Sequence, residues 1–194
     1  MQAKTWAKNT DTPVAVLPLL VVAVDPDSRS TALAWAVRRG DRYVFTGMDG
    51  GGSRRVSWQS IKGQRAWLRE TSARLGAERL GLIEPSDVTV VVETQAPDGP
   101  QSKDCEPLRR VRYHLEATCE IDGYDYTESD AGTWQRVFLQ GEPCGRGAGA
   151  RKVAYQRRAK ALTDLAVNED RCAALGILWW YVVDVLGSTL DCGG

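Results

Sequence analysis

Leu19-Leu20-Val21-Val22-Ala23-Val24, followed at once by Asp25-Pro26-Asp27-Ser28, is the stretch on which the fold turns. The apolar run is short and rich in valine and is closed by a proline, which describes a buried strand better than a helix. It leaves a carboxylate, Asp25, at the strand's exit. The run Val88-Thr89-Val90-Val91-Val92 ends in the same way, in Glu93. It is nearly all β-branched and so predicts a strand buried on both faces. Near the C-terminus the pair Glu169-Asp170 opens a strongly apolar helix. Three core elements thus terminate in acids, and acids held at fixed positions at the rim of a core can converge into a divalent-metal site. Singly, each has an ordinary explanation. Asp25 before proline is a common turn acid, and acids in the first turn of a helix are stabilised by its dipole.

Working outward, residues 1–13 are polar and without periodicity, which predicts a poorly ordered tail ahead of a single domain over 14–190. After the first strand, Thr31–Val37 and Tyr43–Thr46 continue a three-strand meander turning at Arg39-Gly40-Asp41, and Gly47–Ser53 reads as a loop. Ile61, Trp67, Leu68 and Leu75 recur at helical spacing within a helix from about Ser57 to Leu75. Beyond Glu93 come a loop at Ala96–Pro100, a helix over about Ser102–Cys119 and a short strand near Tyr124–Thr127. The segment Gly132–Leu139 and a glycine-rich loop follow, then helices over about Ala150–Leu165 and Asp170–Leu186. A meander followed by interleaved helices predicts an α/β layered domain on a mixed sheet.

Charge is balanced overall, with 25 Lys plus Arg against 25 Asp plus Glu, but it is not evenly spread. Between Glu142 and Asp164 stand six basic residues, Arg146, Arg151, Lys152, Arg157, Arg158 and Lys160, and no acid. Such a strip either faces phosphates or is a solvated helix face. The five cysteines, Cys105, Cys119, Cys144, Cys172 and Cys192, include no CxxC and read as reduced thiols of an intracellular protein. Val14–Val24 is a poor signal-peptide core, since Asp11 precedes it and Pro18 interrupts it. Cys172–Val183 falls well short of the ~20 residues that span a bilayer, so no membrane segment is expected. With one histidine, His114, a His-based zinc site is excluded. Trp179-Trp180-Tyr181 lies inside an apolar run and reads as core or interface packing. Gly145, Gly147 and Gly149 lack the preceding strand and the GK[ST] ending of a nucleotide-binding loop.

Taken together, Val24-Asp25-Pro26-Asp27 with Thr31-Ala32-Leu33, Val91-Val92-Glu93-Thr94-Gln95, Gly132-Thr133-Trp134-Gln135, and Glu169-Asp170 leading into Ala174-Leu175-Gly176-Ile177 resemble the RuvC group of Holliday junction resolvases. The likeness is nearest to the divergent versions carried by phages and prophages. It runs from about Leu19 to Leu186 and rests on the order and separation of the motifs, with 68 residues from Asp25 to Glu93 and 77 from Glu93 to Asp170. The resemblance implies an RNase H-like fold, a mixed central sheet with helices on both faces. It also implies a structure-specific endonuclease that resolves four-way DNA junctions by paired nicks, as a homodimer in the cytoplasm of a bacterial host cell. Asp25, Glu93 and Asp170 are the implied catalytic acids, binding two Mg2+ or Mn2+ ions per site. The family's last helix usually carries a second acid three residues on, where Ala173 stands here. Glu169 or Asp27 is the candidate for the missing oxygen. Arg146, Arg151 and Lys152, with Arg157, Arg158 and Lys160 beyond, are the implied contacts to the DNA backbone.

Other classes remain open at this point. A strand, an acidic turn and a hairpin also begin sugar kinases and actin-like ATPases, which need two such domains. Ala173 favours a silent junction-binding or single-strand-binding protein on the same fold. Flaps or other branched DNA are alternative substrates for an active nuclease.

Overall fold

The computed structural model of the chain describes residues 17–26, 31–50, 61–75, 83–94, 106–143, 147–165 and 168–193. The expected N-terminal tail, Asp27, the loop at 96–100, Arg146, Cys105 and Cys144 lie outside those residues. Strands β1 (Leu20–Asp25), β2 (Ala32–Arg39) and β3 (Arg42–Gly50) form the meander. Helix α1 (Ile61–Leu75), strand β4 (Val88–Thr94), helix α2 (Glu106–Asp122) and strand β5 (Asp125–Asp130) come next. Helices α3 (Ala131–Phe138), α4 (Ala148–Thr163) and α5 (Glu169–Trp180) lead to the edge strand β6 (Thr189–Asp191). The six strands form one sheet in the order β5-β4-β1-β2-β3-β6. β1, β4 and β5 run parallel, and β2 is antiparallel to both β1 and β3. The α/β layered architecture is therefore as expected.

Strand alternation divides the core between the two faces. Leu20, Val22 and Val24 of β1, with Leu33, Trp35 and Val37 of β2 and Val90 and Val92 of β4, pack against Trp67, Leu68, Val111 and Leu115 of α1 and α2. Val21 and Ala23, with Ala32, Ala34 and Ala36 of β2 and Val91 of β4, face α3, α4 and α5. The row of alanines on β2 gives α5 a shallow bed, so a helix carrying Leu175, Ile177 and Leu178 can bury them against the sheet.

Several boundaries differ from the expectation for physical reasons. The glycine-rich stretch is not a loop as far as Gly50, because β3 continues through it. A Cβ at Gly47 would lie 2.8 Å from Cζ2 of Trp35, so only glycine lets the strand pass beneath that indole. Trp35 pairs with Gly47 and Ala36 with Phe45, leaving Thr46 as the extra residue of a bulge. The last helix is not regular to Leu186: it gives way to a π-helical turn at Tyr181–Val185. β6, which pairs in parallel with β3, is a strand of only three residues and was not foreseen. Among the described residues no helix is long and apolar enough to cross a membrane.

Candidate active site

β1 and β4 are adjacent, parallel and in register, with Val24 opposite Val92. Asp25 and Glu93 are each the next residue along, so the two acids leave the sheet side by side at one end. Their odd-numbered neighbours Val21, Ala23 and Val91 face the α3–α5 layer, and by the two-residue alternation Asp25 and Glu93 face that layer as well. Both are half-buried.

Helix α5 runs back across this face. Past its last turn the chain enters β6, where Thr189 pairs with Arg42 at the start of β3. Tyr43 beside it donates its hydroxyl to the Pro18 carbonyl at 2.7 Å, marking the end of the sheet where β1 begins. The opposite, N-terminal end of α5, with Asp170 in its first turn, therefore lies toward the rim that carries Asp25 and Glu93. Asn168 caps this end, accepting from the Arg171 backbone N–H at 2.9 Å, and so fixes the turn on which Asp170 stands. Glu169 pairs instead with Lys152 of α4 at 2.6 Å.

Glu93 has a defined partner. Trp134, the buried aromatic of α3, donates its indole Nε1–H to Glu93 Oε2 at 2.8 Å. Burial is the main force pushing the Glu93 carboxyl above the usual carboxylate range; the Trp134 N–H pulls it back, and the charge of Asp130 pushes it further up. Asp130 is the last residue of β5, opposite Thr94. It caps α3 by accepting from the Thr133 backbone N–H at 2.9 Å and from the Thr133 hydroxyl, which holds its own carboxyl below the usual range. Neither Trp134 nor Asp130 was singled out as a site residue from the sequence. Nothing in a linear pattern announces a hydrogen bond between residues 41 apart.

The donor chemistry of this rim, carboxylate oxygen without histidine or cysteine, suits a hard divalent cation. Among the described residues no group of three or more acids, histidines or cysteines is already drawn together as a metal cage. Asp25 and Glu93 come together on neighbouring strands, Asp170 stands at the end of α5 directed toward the same rim, Glu169 is engaged by Lys152, and Asp27 lies outside the described residues.

The basic strip lies along α4. Arg151, Lys152, Arg157 and Lys160 are exposed. Arg158 turns inward: its guanidinium lies 5.5 Å from the Phe138 ring centroid and 5.3 Å from that of Trp179, and it bonds to Glu142 at 3.3 Å. Trp180 and Tyr181 are buried and Trp179 packs on Phe138, in keeping with the core reading of that aromatic run. His114 is half-buried on α2, away from the face that Asp25 and Glu93 line.

No protein-family profile matches the chain, and no curated protein sequence matches it. Solved structures do. RuvC of Thermus thermophilus matches with a TM-score of 0.57 at 14% identity, over 87% of this chain and 97% of that one. The same organism's RuvC in complex with a Holliday junction substrate matches with a TM-score of 0.54 at 11% identity, over 81% and 89%. The fowlpox virus Holliday junction resolvase matches with a TM-score of 0.50 at 12% identity, over 86% and 99%. At such identities the likeness is one of fold, and the chain has the RNase H-like fold of RuvC and other Holliday junction resolvases.

Proposed function

We propose that this chain is a divalent-metal-dependent endonuclease of branched DNA, resolving four-way junctions by paired nicks from one nuclease domain over 14–190. The observation that carries the reading is the pair Asp25 and Glu93. They leave adjacent parallel strands side by side and face the helix that bears Asp170, in a fold shared with junction resolvases.

In this reading Asp25, Glu93 and Asp170 hold Mg2+ or Mn2+, with Asp27 as a further oxygen donor. The bound ions would stabilise charge on the attacking and leaving oxygens and acidify the attacking water. The chain's own contribution is placement. β1 and β4 fix two carboxylates at one spacing, the Asn168 cap fixes the start of α5, and Lys152 neutralises Glu169 beside Asp170. Arg151, Arg157 and Lys160, exposed on α4, neutralise backbone phosphates and so make binding weaken steeply with salt. Arg146 of the original strip joins them as a further phosphate contact, whereas Arg158 supports the helix from within. The partner is a second copy of the chain, because two nicks on a symmetric junction call for two sites related by a two-fold axis. The setting that the resemblance implies is a bacterial cytoplasm, with a phage-encoded origin.

A second reading keeps the fold and drops the cutting: Ala173 stands one turn from Asp170 where the resolvases it resembles carry an acid, which favours a junction-binding protein. The deciding experiment is nicking of an end-labelled synthetic four-way junction with Mg2+ or Mn2+, beside a linear duplex, a flap and an EDTA control. Paired symmetric nicks confined to the junction are expected. Cutting of the flap alone would move the substrate to other branched DNA, and tight binding without cutting would leave the second reading.

A further inference from the structure

Trp134 couples four elements around the candidate site. Its ring is 1% exposed and packs 5.4 Å from Tyr155 of α4 and 6.5 Å from Phe138, centroid to centroid. On the α5 side it lies against Gly176, where a Cβ would stand 2.5 Å from Cζ3 of the indole. Only a glycine admits the ring at this depth. The first turn of α3 is tied to the end of β5 through the Asp130 cap. The indole is thus packed against α4 and α5 and tied to β5 through its helix, and its one polar atom is spent on Glu93 of β4. An indole N–H is a donor only, in the plane of a rigid ring, so it cannot turn to another partner as a hydroxyl can.

We propose that Trp134 is a positioning residue for the metal-binding carboxylate: by fixing Glu93 Oε2 it leaves Oε1 as the oxygen offered to the ion and holds it in one place relative to Asp25. This rests on the nuclease reading of the same site. A glutamate side chain free to explore its rotamers would lose that freedom on every binding event, whereas one already fixed by a charge-assisted hydrogen bond has lost it on folding. Partners that orient a metal ligand in this way are typically worth about 10- to 100-fold in metal affinity or activity.

The test is Trp134→Phe, together with replacement of Trp134 by benzothienylalanine, which keeps the bicyclic ring and removes only the N–H. The readout is the Mn2+-induced rise in Tm of the DNA-free protein, beside junction cleavage and junction affinity. We expect both replacements to weaken Mn2+ binding and cleavage about tenfold or more, with junction affinity unchanged. In a Glu93→Gln background the same replacements should have no further effect on the Mn2+ shift, because Trp134 acts through that carboxylate. A wild-type Mn2+ shift that survives loss of the N–H would overturn the proposal alone and leave the nuclease reading in place. A loss that persists undiminished in Glu93→Gln would show general damage to the fold and overturn it too. No Mn2+ shift in the wild-type protein would overturn the metal-dependent reading and this proposal together.

Discussion

Under the proposed function Glu93 would have to be an anion to hold a cation, in a place whose burial disfavours anions. Because burial raises its pKa in the folded chain, the sign of its effect on stability follows: the native state is favoured below the ordinary glutamate range, and that advantage is lost as the pH rises through the folded-state value. In metal-free buffer Glu93→Gln should therefore be more resistant to urea than the wild type at neutral pH, with the difference shrinking toward pH 4. An equal or reversed difference at neutral pH would mean that the carboxylate is better solvated than its surroundings imply. Gly176→Ala tests the neighbouring packing. The added methyl meets the Trp134 ring, and overpacking of this kind costs about 1–3 kcal/mol; denaturant melts at the stability of the wild type would show that the ring can move aside. At this scale the sequence was readable in part. Asp25 and Glu93 could be placed at the rim because each terminates a run of valines, whose exit from a core is a local property. The Trp134 contact was not readable, because a periodic pattern predicts that an aromatic is buried but not which of its atoms meets which partner. The same limit hid Gly47, whose role depends on an indole across the ladder.

Elements show the same division between what a local pattern reveals and what needs the partner. Helices α1 and α2 meet through Asp122, which accepts from Arg65 Nε at 2.8 Å and from Arg69 at 2.7 Å. These guanidiniums, the Arg65 hydrogen bond first, hold the Asp122 carboxyl below the usual aspartate range. Its contribution is therefore present at neutral pH and lost as the pH falls through the folded-state value. Asp122→Asn should cost about 2 kcal/mol at pH 7 in denaturant melts, with a smaller difference in acid; a constant difference at all pH values would point to shape rather than charge. On α4, the run of cations was legible but its orientation was not. Arg158 is drawn inward by Phe138 of α3 and Trp179 of α5, residues that only the folded chain brings beside it. Arg157→Ala with Lys160→Ala should flatten the slope of log affinity against log salt for junction DNA by about two, with Tm unchanged. Arg158→Ala should lower Tm and leave that slope nearly as it was. If the slopes respond the other way round, the DNA runs along a different face.

At the scale of the whole molecule, the sheet separates two surfaces with different work to do. The acids of the rim face the α3–α5 layer, while α2 covers the other face and presents Tyr113 and Ile121 to solvent at 56% and 58% exposure. These two, eight residues apart on one helix, share a side of α2 on which Ala117 stands between them. In the proposed dimer, an apolar stripe behind the sheet would let two copies join without obstructing either rim, as paired nicking of a symmetric junction would require. This side of α2 is therefore where the proposed dimer can be tested by substitution. Tyr113→Glu with Ile121→Glu adds a charge at each end of the stripe on both copies, so like charges would meet across a two-fold axis and the dimer should dissociate at micromolar concentration in sedimentation. Both positions are exposed in the single chain, so the fold itself should be untouched, with an unchanged circular dichroism spectrum. The altered protein should then nick junctions singly and without symmetry, because each active site arrives alone. A wild-type chain that sediments as a monomer and binds one per junction would remove the dimer. A charged variant that still sediments as a dimer would move the interface off α2 and leave the assignment of the rim as it stands.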